Sequence, residues 1–283
     1  MSQRATHGVV TIATADLRRR PDHRSEMRSQ LLLGEVVRRL RRSPDRAWTE
    51  VENLSDGYRG WVRDWGLVAV GTTRARRWQA RARWRVVAPS TWVAARPGGG
   101  APDGPGLGPL PFNARVIAGP PRRGSRPVEL PDGRRGWVPA PVLDRVGAPA
   151  PPLMDRVRSL LGCPYLWGGR SPSGFDCSGF VQQVLAEQGA RLPRDADQQW
   201  GGVRPISGRE NARLGDLVFF APPGGRVAHV GLWLGGGYFA HARGQVRLAS
   251  LDEHNPLCDK DLLPQVRGFG RPLRPRRRGP GPR

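Results

Sequence analysis

The sequence predicts an α+β protein in which two small β-barrels precede a region of helices followed by antiparallel sheet. Three observations carry this. The stretch "DGYRGWV", Asp56 to Val62, returns as "DGRRGWV", Asp132 to Val138. Short apolar runs surround both copies, and 38 glycines and 29 prolines among 283 residues suit turns and short strands better than long helices. Beyond residue 152 the texture changes to amphipathic helices and then short apolar runs between glycine turns.

Each copy of the repeat reads as a D-G hairpin tip that feeds a strand carrying G-W. Upstream lie "HGVVTIATADLRRRPD" and "QLLLGEVVRRL" for the first, "RWRVVAPSTWVAARP" and "ARVIAG" for the second. A repeat of short strands predicts two small barrels, at 1–71 and 83–146. Between them "TTRARRWQARAR" reads either as a basic linker or as an added strand. "GAPAPPL", Gly147 to Leu153, is a Pro/Ala linker that opens the third region, 152–272. The end, 273–283, holds arginine, proline and glycine and is expected to be a disordered basic tail.

The third region opens with a helix expected at Met154–Leu161 and a glycine-rich loop. Then comes "FDCSGFVQQVLAEQ", Phe175 to Gln188. Phe180, Val181, Val184 and Leu185 share one helix face, and Asp176 is the natural N-cap. The first residues of a helix carry unpaired N–H groups and a partial positive charge. Cys177 therefore sits where a thiolate is favoured.

A cysteine nucleophile needs a base, and the base an orienting group. His229 and His241 supply both on two strand-like runs, "AHVGLWL" and "YFAHA", joined by Gly235 to Gly237. Pairing Leu234 with Tyr238 sets Gly231 against His241, with His229 two residues along the same face. Pairing Trp233 with Gly237 sets His229 opposite His241. In either register both imidazoles share a face, and Ala228, Val230, Leu232 and Leu234 form an apolar stripe on the other, toward the core. Registers shifted by one residue would separate the two rings. "DLVFF", Asp216 to Phe220, is a further strand.

The net charge is +22, nearly all from arginine, since Lys260 is the only lysine. This favours acidic partners, but no nucleic-acid-reading motif accompanies it. No run approaches the length of a membrane span, and the N-terminus lacks an apolar signal segment. As it stands the chain is expected to be cytoplasmic, with a secreted or wall-associated location as the alternative. Cys163, Cys177 and Cys258 form no C-x-x-C pair, which argues against structural zinc. Cys163 and Cys258 read as small packed residues, with a bridge between them left open. His7 and His23 lie in polar surroundings and read as surface residues, His254 lacks further ligands at a metal-binding spacing, and the glycine-rich loop lacks the order of a phosphate cradle.

"PYLWGGRSPSGFDCSGFVQ", "PRDADQQW", "LGDLVFF" and "AHVGLWLGGGYFAHA" resemble, in order and spacing, the NlpC/P60 family of cell-wall cysteine peptidases. The resemblance covers 152–272 and implies a papain-like fold. It carries over Cys177 as nucleophile, His229 as general base, His241 as orienting residue and Tyr165 as the tyrosine beside the nucleophile. The two barrels resemble bacterial SH3-like domains. With "LRRRPDHRSEMRSQLLLGEVVRRL" they are similar to those of γ-D-glutamyl-L-diamino acid endopeptidases of the dipeptidyl-peptidase VI type. The resemblance then implies that Glu26 and Tyr58 project toward substrate, and that Asp176 and Ser178 hold its amine and D-Glu carboxylate. A desolvated ammonium does need carboxylate partners. The implied substrates are peptidoglycan-derived peptides with a free N-terminal L-alanine, and no metal or organic cofactor is implied. An endopeptidase on intact wall, and a non-catalytic wall or polyanion binder, are the rival readings.

Overall fold

A computed structural model describes residues 5–99 and 108–273. Apart from Leu273, the expected tail lies outside the described residues. The chain divides into two compact units, Met1–Ala148 with Leu166–Phe175, and Pro149–Tyr165 with Asp176–Arg283.

The first unit is mostly sheet. Strands β1 (His7–Val10), β2 (Thr14–Arg18), β3 (Met27–Leu32), β4 (Val36–Arg42), β5 (Trp48–Asn53), β6 (Arg59–Arg63) and β7 (Leu67–Val70) form one sheet, in the order β3-β2-β6-β5-β4-β1-β7. Val10, Leu17, Leu31, Val37, Val51 and Val62 fill its core. A second sheet takes β8 (Trp84–Val86), β11 (Arg115–Ala118), β12 (Ser125–Glu129), β13 (Arg135–Pro139) and β14 (Leu143–Arg145), while β9 (Ser90–Trp92) pairs with β10 (Pro109–Pro111). The sequence repeat is a structural one. In both copies the D-G pair makes the turn, with Gly57 at φ +75° and Gly133 at φ +90°. The R-G-W-V segment then pairs back as β6 on β5 and β13 on β12. A single 3-10 turn follows each, Asp64–Gly66 and Ala140–Val142.

Residues 72–81, read as a linker or strand, are instead a helix, α1 (Thr72–Arg81). Arginine and alanine are good helix formers, and Ala75, Trp78 and Ala82 recur on one buried side. Trp78 Nε1 donates to the Gly34 carbonyl at 2.9 Å. The unit closes with β15 (Arg170–Ser171) and β16 (Gly174–Phe175), a small hairpin that contacts β3. Arg170 anchors it through both guanidinium nitrogens on Glu35, each at 3.0 Å.

The second unit packs α2 (Leu153–Leu160), α3 (Cys177–Glu187) and α4 (Ala196–Gly202) with a six-stranded antiparallel sheet. Its strands are β17 (Arg204–Ile206), β18 (Leu217–Phe220), β19 (His229–Gly235), β20 (Tyr238–Arg243), β21 (Gln245–Ser250) and β22 (Val266–Arg271), in the order β17-β22-β18-β19-β20-β21. Phe180, Val181, Val184 and Leu185 of α3 are at most 1% exposed, and α3 packs against β19 and β20. A buried pair, Arg156 to Glu187 at 2.6 and 2.8 Å, ties α2 to α3.

The β19–β20 ladder pairs Leu232 with Ala240 and Trp233 with Phe239, then shifts so that Gly235 meets Tyr238. The first two pairs belong to the register that sets Gly231 against His241. The tip is irregular because Gly235, Gly236 and Gly237 all take positive φ. The expected division into a core face and a histidine face needs correction. Val218, Phe220, Trp233 and Phe239 alternate onto the histidine side and form a second apolar cluster, while Ala228 is exposed and Leu234 only half-buried. The sheet is therefore buried on both faces, and His241 is completely buried.

Candidate active site

Asp176 caps α3, its Oδ1 accepting the Gly179 N–H at 2.6 Å. Cys177 follows as the first helical residue, 8% exposed. The helix start does not make it a thiolate. Burial, then the adjacent Asp176 carboxylate, push the thiol up to about 12, against the Val230 and Ser178 N–H groups and Arg194, which pull it down. Desolvation of the anion outweighs the helix-terminal charge. The β19–β20 ladder reaches no further than Leu232 toward His229, and the Val230 N–H faces the thiol.

His229 opens β19 and His241 lies within β20. His229 Nε2 and His241 Nδ1 are 2.8 Å apart, with the ring planes at 83°. Burial, then the Arg243 guanidinium, lower His229 to about 4. Burial, then His229 and Arg247, lower His241 to about 3. Both rings are thus neutral at ordinary pH.

Two further partners escaped the sequence reading. Arg247 Nε donates to His241 Nε2 at 3.2 Å, and Asp259 Oδ2 lies 4.0 Å from the same nitrogen. Arg247 stands directly across from His241 on β21, so cross-strand alternation could have found it once β21 was known. Asp259, in "LCDKDLL", lies in a loop and carries no periodic signal.

Tyr165 is half-buried, its N–H donating to the Gly244 carbonyl at 2.9 Å. Burial, then the nearby Cys177 and Asp176, push its phenol up to about 12. Arg194 is a third residue the sequence reading passed over. Its Nη2 meets Asp176 Oδ2 at 2.5 Å, while Nη1 reaches Asp176 Oδ1 at 3.0 Å and Ser178 Oγ at 2.9 Å. Cys177, His229, His241, Tyr165, Asp176 and Ser178 therefore all belong to the second unit.

Glu26 and Tyr58 belong to the first unit. Glu26 is exposed, its Oε1 accepting from Trp167 Nε1 at 3.2 Å. Tyr58 is half-buried beneath the Arg28 guanidinium, 5.3 Å from the ring centre. Cys163, Cys177 and Cys258 are all free thiols, so the open bridge is not formed. Among the described residues no group of His, Cys, Asp and Glu could hold a metal ion, and no helix is long and apolar enough to cross a membrane.

A cysteine heads a buried helix that packs against the strands carrying a hydrogen-bonded histidine pair, the arrangement of a papain-like domain of the cysteine-peptidase class. Comparison relates two segments of the chain to known families. Residues 162–262 match the NlpC/P60 family and residues 17–67 the bacterial dipeptidyl-peptidase SH3 domain. The chain thus carries an NlpC/P60 domain behind an SH3-like domain. It is 45% identical over 84 residues to a γ-D-glutamyl-L-lysine dipeptidyl-peptidase of Bacillus subtilis, 29% of this chain and 28% of that protein. A protein of the same description from Bacillus cereus is 32% identical over 131 residues, 41% of this chain and 37% of the relative. A bifunctional muramidase/DL-endopeptidase of Bacillus subtilis is 49% identical over 79 residues, 27% of this chain and 24% of that one. These matches span less than two fifths of the relatives' own length. The crystal structure of an NlpC/P60 family protein from Bacillus cereus superposes with a TM-score of 0.79, covering 94% of this chain and 99% of that one at 22% identity. That likeness is one of fold.

Proposed function

We propose that the chain is a cysteine peptidase hydrolysing the γ-D-glutamyl–diamino acid bond of peptidoglycan-derived peptides that carry a free N-terminal L-alanine. The observation that carries this reading is the 2.8 Å contact between His229 and His241 in the unit that also holds Cys177. Relatives named γ-D-glutamyl-L-lysine dipeptidyl-peptidase, and a dipeptidyl-peptidase SH3 domain in this chain, support the substrate class. We read the chain as SH3-like domains at 1–71 and 83–146 and a catalytic domain at 152–272.

In this mechanism Cys177 starts as a neutral thiol. His229 takes its proton as the sulfur attacks the amide carbonyl, forming the C–S bond. The Cys177 N–H at the helix start stabilises the oxyanion. His229 then returns the proton to the leaving amine as the C–N bond breaks. Water, deprotonated by His229, cleaves the thioester and restores the thiol. His241 orients His229, and Tyr165 borders the nucleophile. Asp176 and Ser178 bind the amine and carboxylate of the substrate's first two residues.

In intact wall the alanine nitrogen is acylated, so a requirement for a free amine assigns the enzyme to released peptides and fits cytoplasmic recycling. Relatives named endopeptidase favour a second reading, cleavage of intact wall. Comparing hydrolysis of L-Ala-γ-D-Glu-diamino acid with its N-acetylated form separates the two. Rejection of the blocked peptide supports recycling, and equal cleavage of both supports the wall reading.

A further inference from the structure

The far nitrogen of His241 has two competing neighbours, and which of them it engages decides whether His229 has a basic nitrogen to offer. The inference rests on the proposed role of His229. An arginine is always a donor, so the Arg247 Nε contact at 3.2 Å requires an unprotonated Nε2 on His241. The neutral ring then carries its proton on Nδ1. That proton points at His229 Nε2, 2.8 Å away, which must accept it. His229 is left with its own proton on Nδ1. In this form one nitrogen of His229 is engaged as an acceptor and the other is already protonated. The pair cannot take a proton from a thiol.

The opposite form needs an acceptor at His241 Nε2. Asp259 Oδ2 stands 4.0 Å from it. Arg243 Nη1 donates to both oxygens of that carboxylate at 2.8 and 3.1 Å, the Leu262 N–H donates to its Oδ1 at 3.1 Å, and the Asp259 side chain is 4% exposed. Against burial, which raises it, the Arg243 hydrogen bond keeps Asp259 below the ordinary carboxylate range. Arg247 bridges the two sites, with Nη2 on Asp259 Oδ2 at 2.7 Å, but its side chain is 43% exposed and can swing outward without opening the core.

We propose that Arg247 and Asp259 select the tautomer of the histidine pair: Arg247 holds the resting form, and Asp259 is the positioning residue that holds His241 as the Nε2–H form in which His229 is a base. The exchange conserves protons. The shared proton crosses from His241 Nδ1 to His229 Nε2, one leaves His229 Nδ1 to water, and one enters His241 Nε2 from water. When His229 Nδ1 later takes the thiol proton, the imidazolium donates to His241 Nδ1, and His241 Nε2–H donates to Asp259.

Ring 15N spectroscopy of the labelled full chain without substrate distinguishes the tautomers, and five histidines keep the spectrum assignable. His241 should be Nδ1–H in the wild type and Nε2–H in Arg247→Met. An Nε2–H ring in the wild type, or an unchanged Nδ1–H ring in folded Arg247→Met, overturns the proposal. Asp259→Asn should lower kcat on the tripeptide about 10²-fold with KM unchanged, and Asp259→Glu should recover most of it. A kcat within twofold of wild type in Asp259→Asn overturns the positioning role. The spectra need no turnover, so an inactive wild type with the expected tautomers counts against the peptidase reading alone.

Discussion

Arg194 clamps Asp176 on both carboxylate oxygens, at 2.5 and 3.0 Å, immediately before the Cys177 position. The same carboxylate caps α3 through Gly179 and contacts Ser178 Oγ. An incoming ammonium would therefore share an anion that is already paired, with Arg194 itself 1% exposed.

Removing the arginine while keeping the carboxylate takes the guanidinium partner from a buried charge. Arg194→Met should cost about 3 kcal/mol or more in urea unfolding. The double change Arg194→Met with Asp176→Asn should recover part of that loss. A single variant as stable as wild type would mean that the pair contributes nothing.

The resting thiol should be poorly reactive. Because burial and Asp176 push Cys177 up to about 12, alkylation at neutral pH should be slow and should accelerate as pH rises past 9. Measured in a Cys163→Ser, Cys258→Ser background, an apparent thiol pKa below 7 would contradict this.

The histidines set an acid limit on stability. Their folded values, about 4 and about 3, lie below the unfolded value near 6.5. Between those values the unfolded chain binds more protons, so stability is fully present above pH 6.5 and is lost as pH falls toward 3. His241→Gln should flatten the slope of unfolding free energy against pH in that window. The acid limb of kcat/KM should likewise fall near pH 4 rather than 6.5.

Gly34 is a packing constraint in the first unit. It has φ +85°, and a Cβ there would lie 2.2 Å from the Arg115 carbonyl oxygen. Gly34→Ala should cost roughly 2 kcal/mol or more in chemical unfolding. Trp78→Phe, which removes the hydrogen bond to the Gly34 carbonyl, should cost about 1 kcal/mol.

Local rules made much of this legible in sequence. The D-G turns followed from the need for positive φ at Gly57 and Gly133. Asp176 as cap and the shared face of His229 and His241 followed from helix and strand periodicity. What escaped depends on packing. Helix α1 shows only Ala75 and Trp78 as buried residues within its bounds, too few to announce it. Arg194 reaches Asp176 from 18 residues away, and Asp259 reaches Arg247 from a loop. The protonation of Cys177 turned on how deeply α3 is buried, which no window of sequence reports.

The most direct test is release of the diamino acid from L-Ala-γ-D-Glu-diamino acid by wild type and by Cys177→Ala, read by mass spectrometry. The account predicts hydrolysis by the wild type and none above background by a folded Cys177→Ala. Equal release by the two proteins would contradict it.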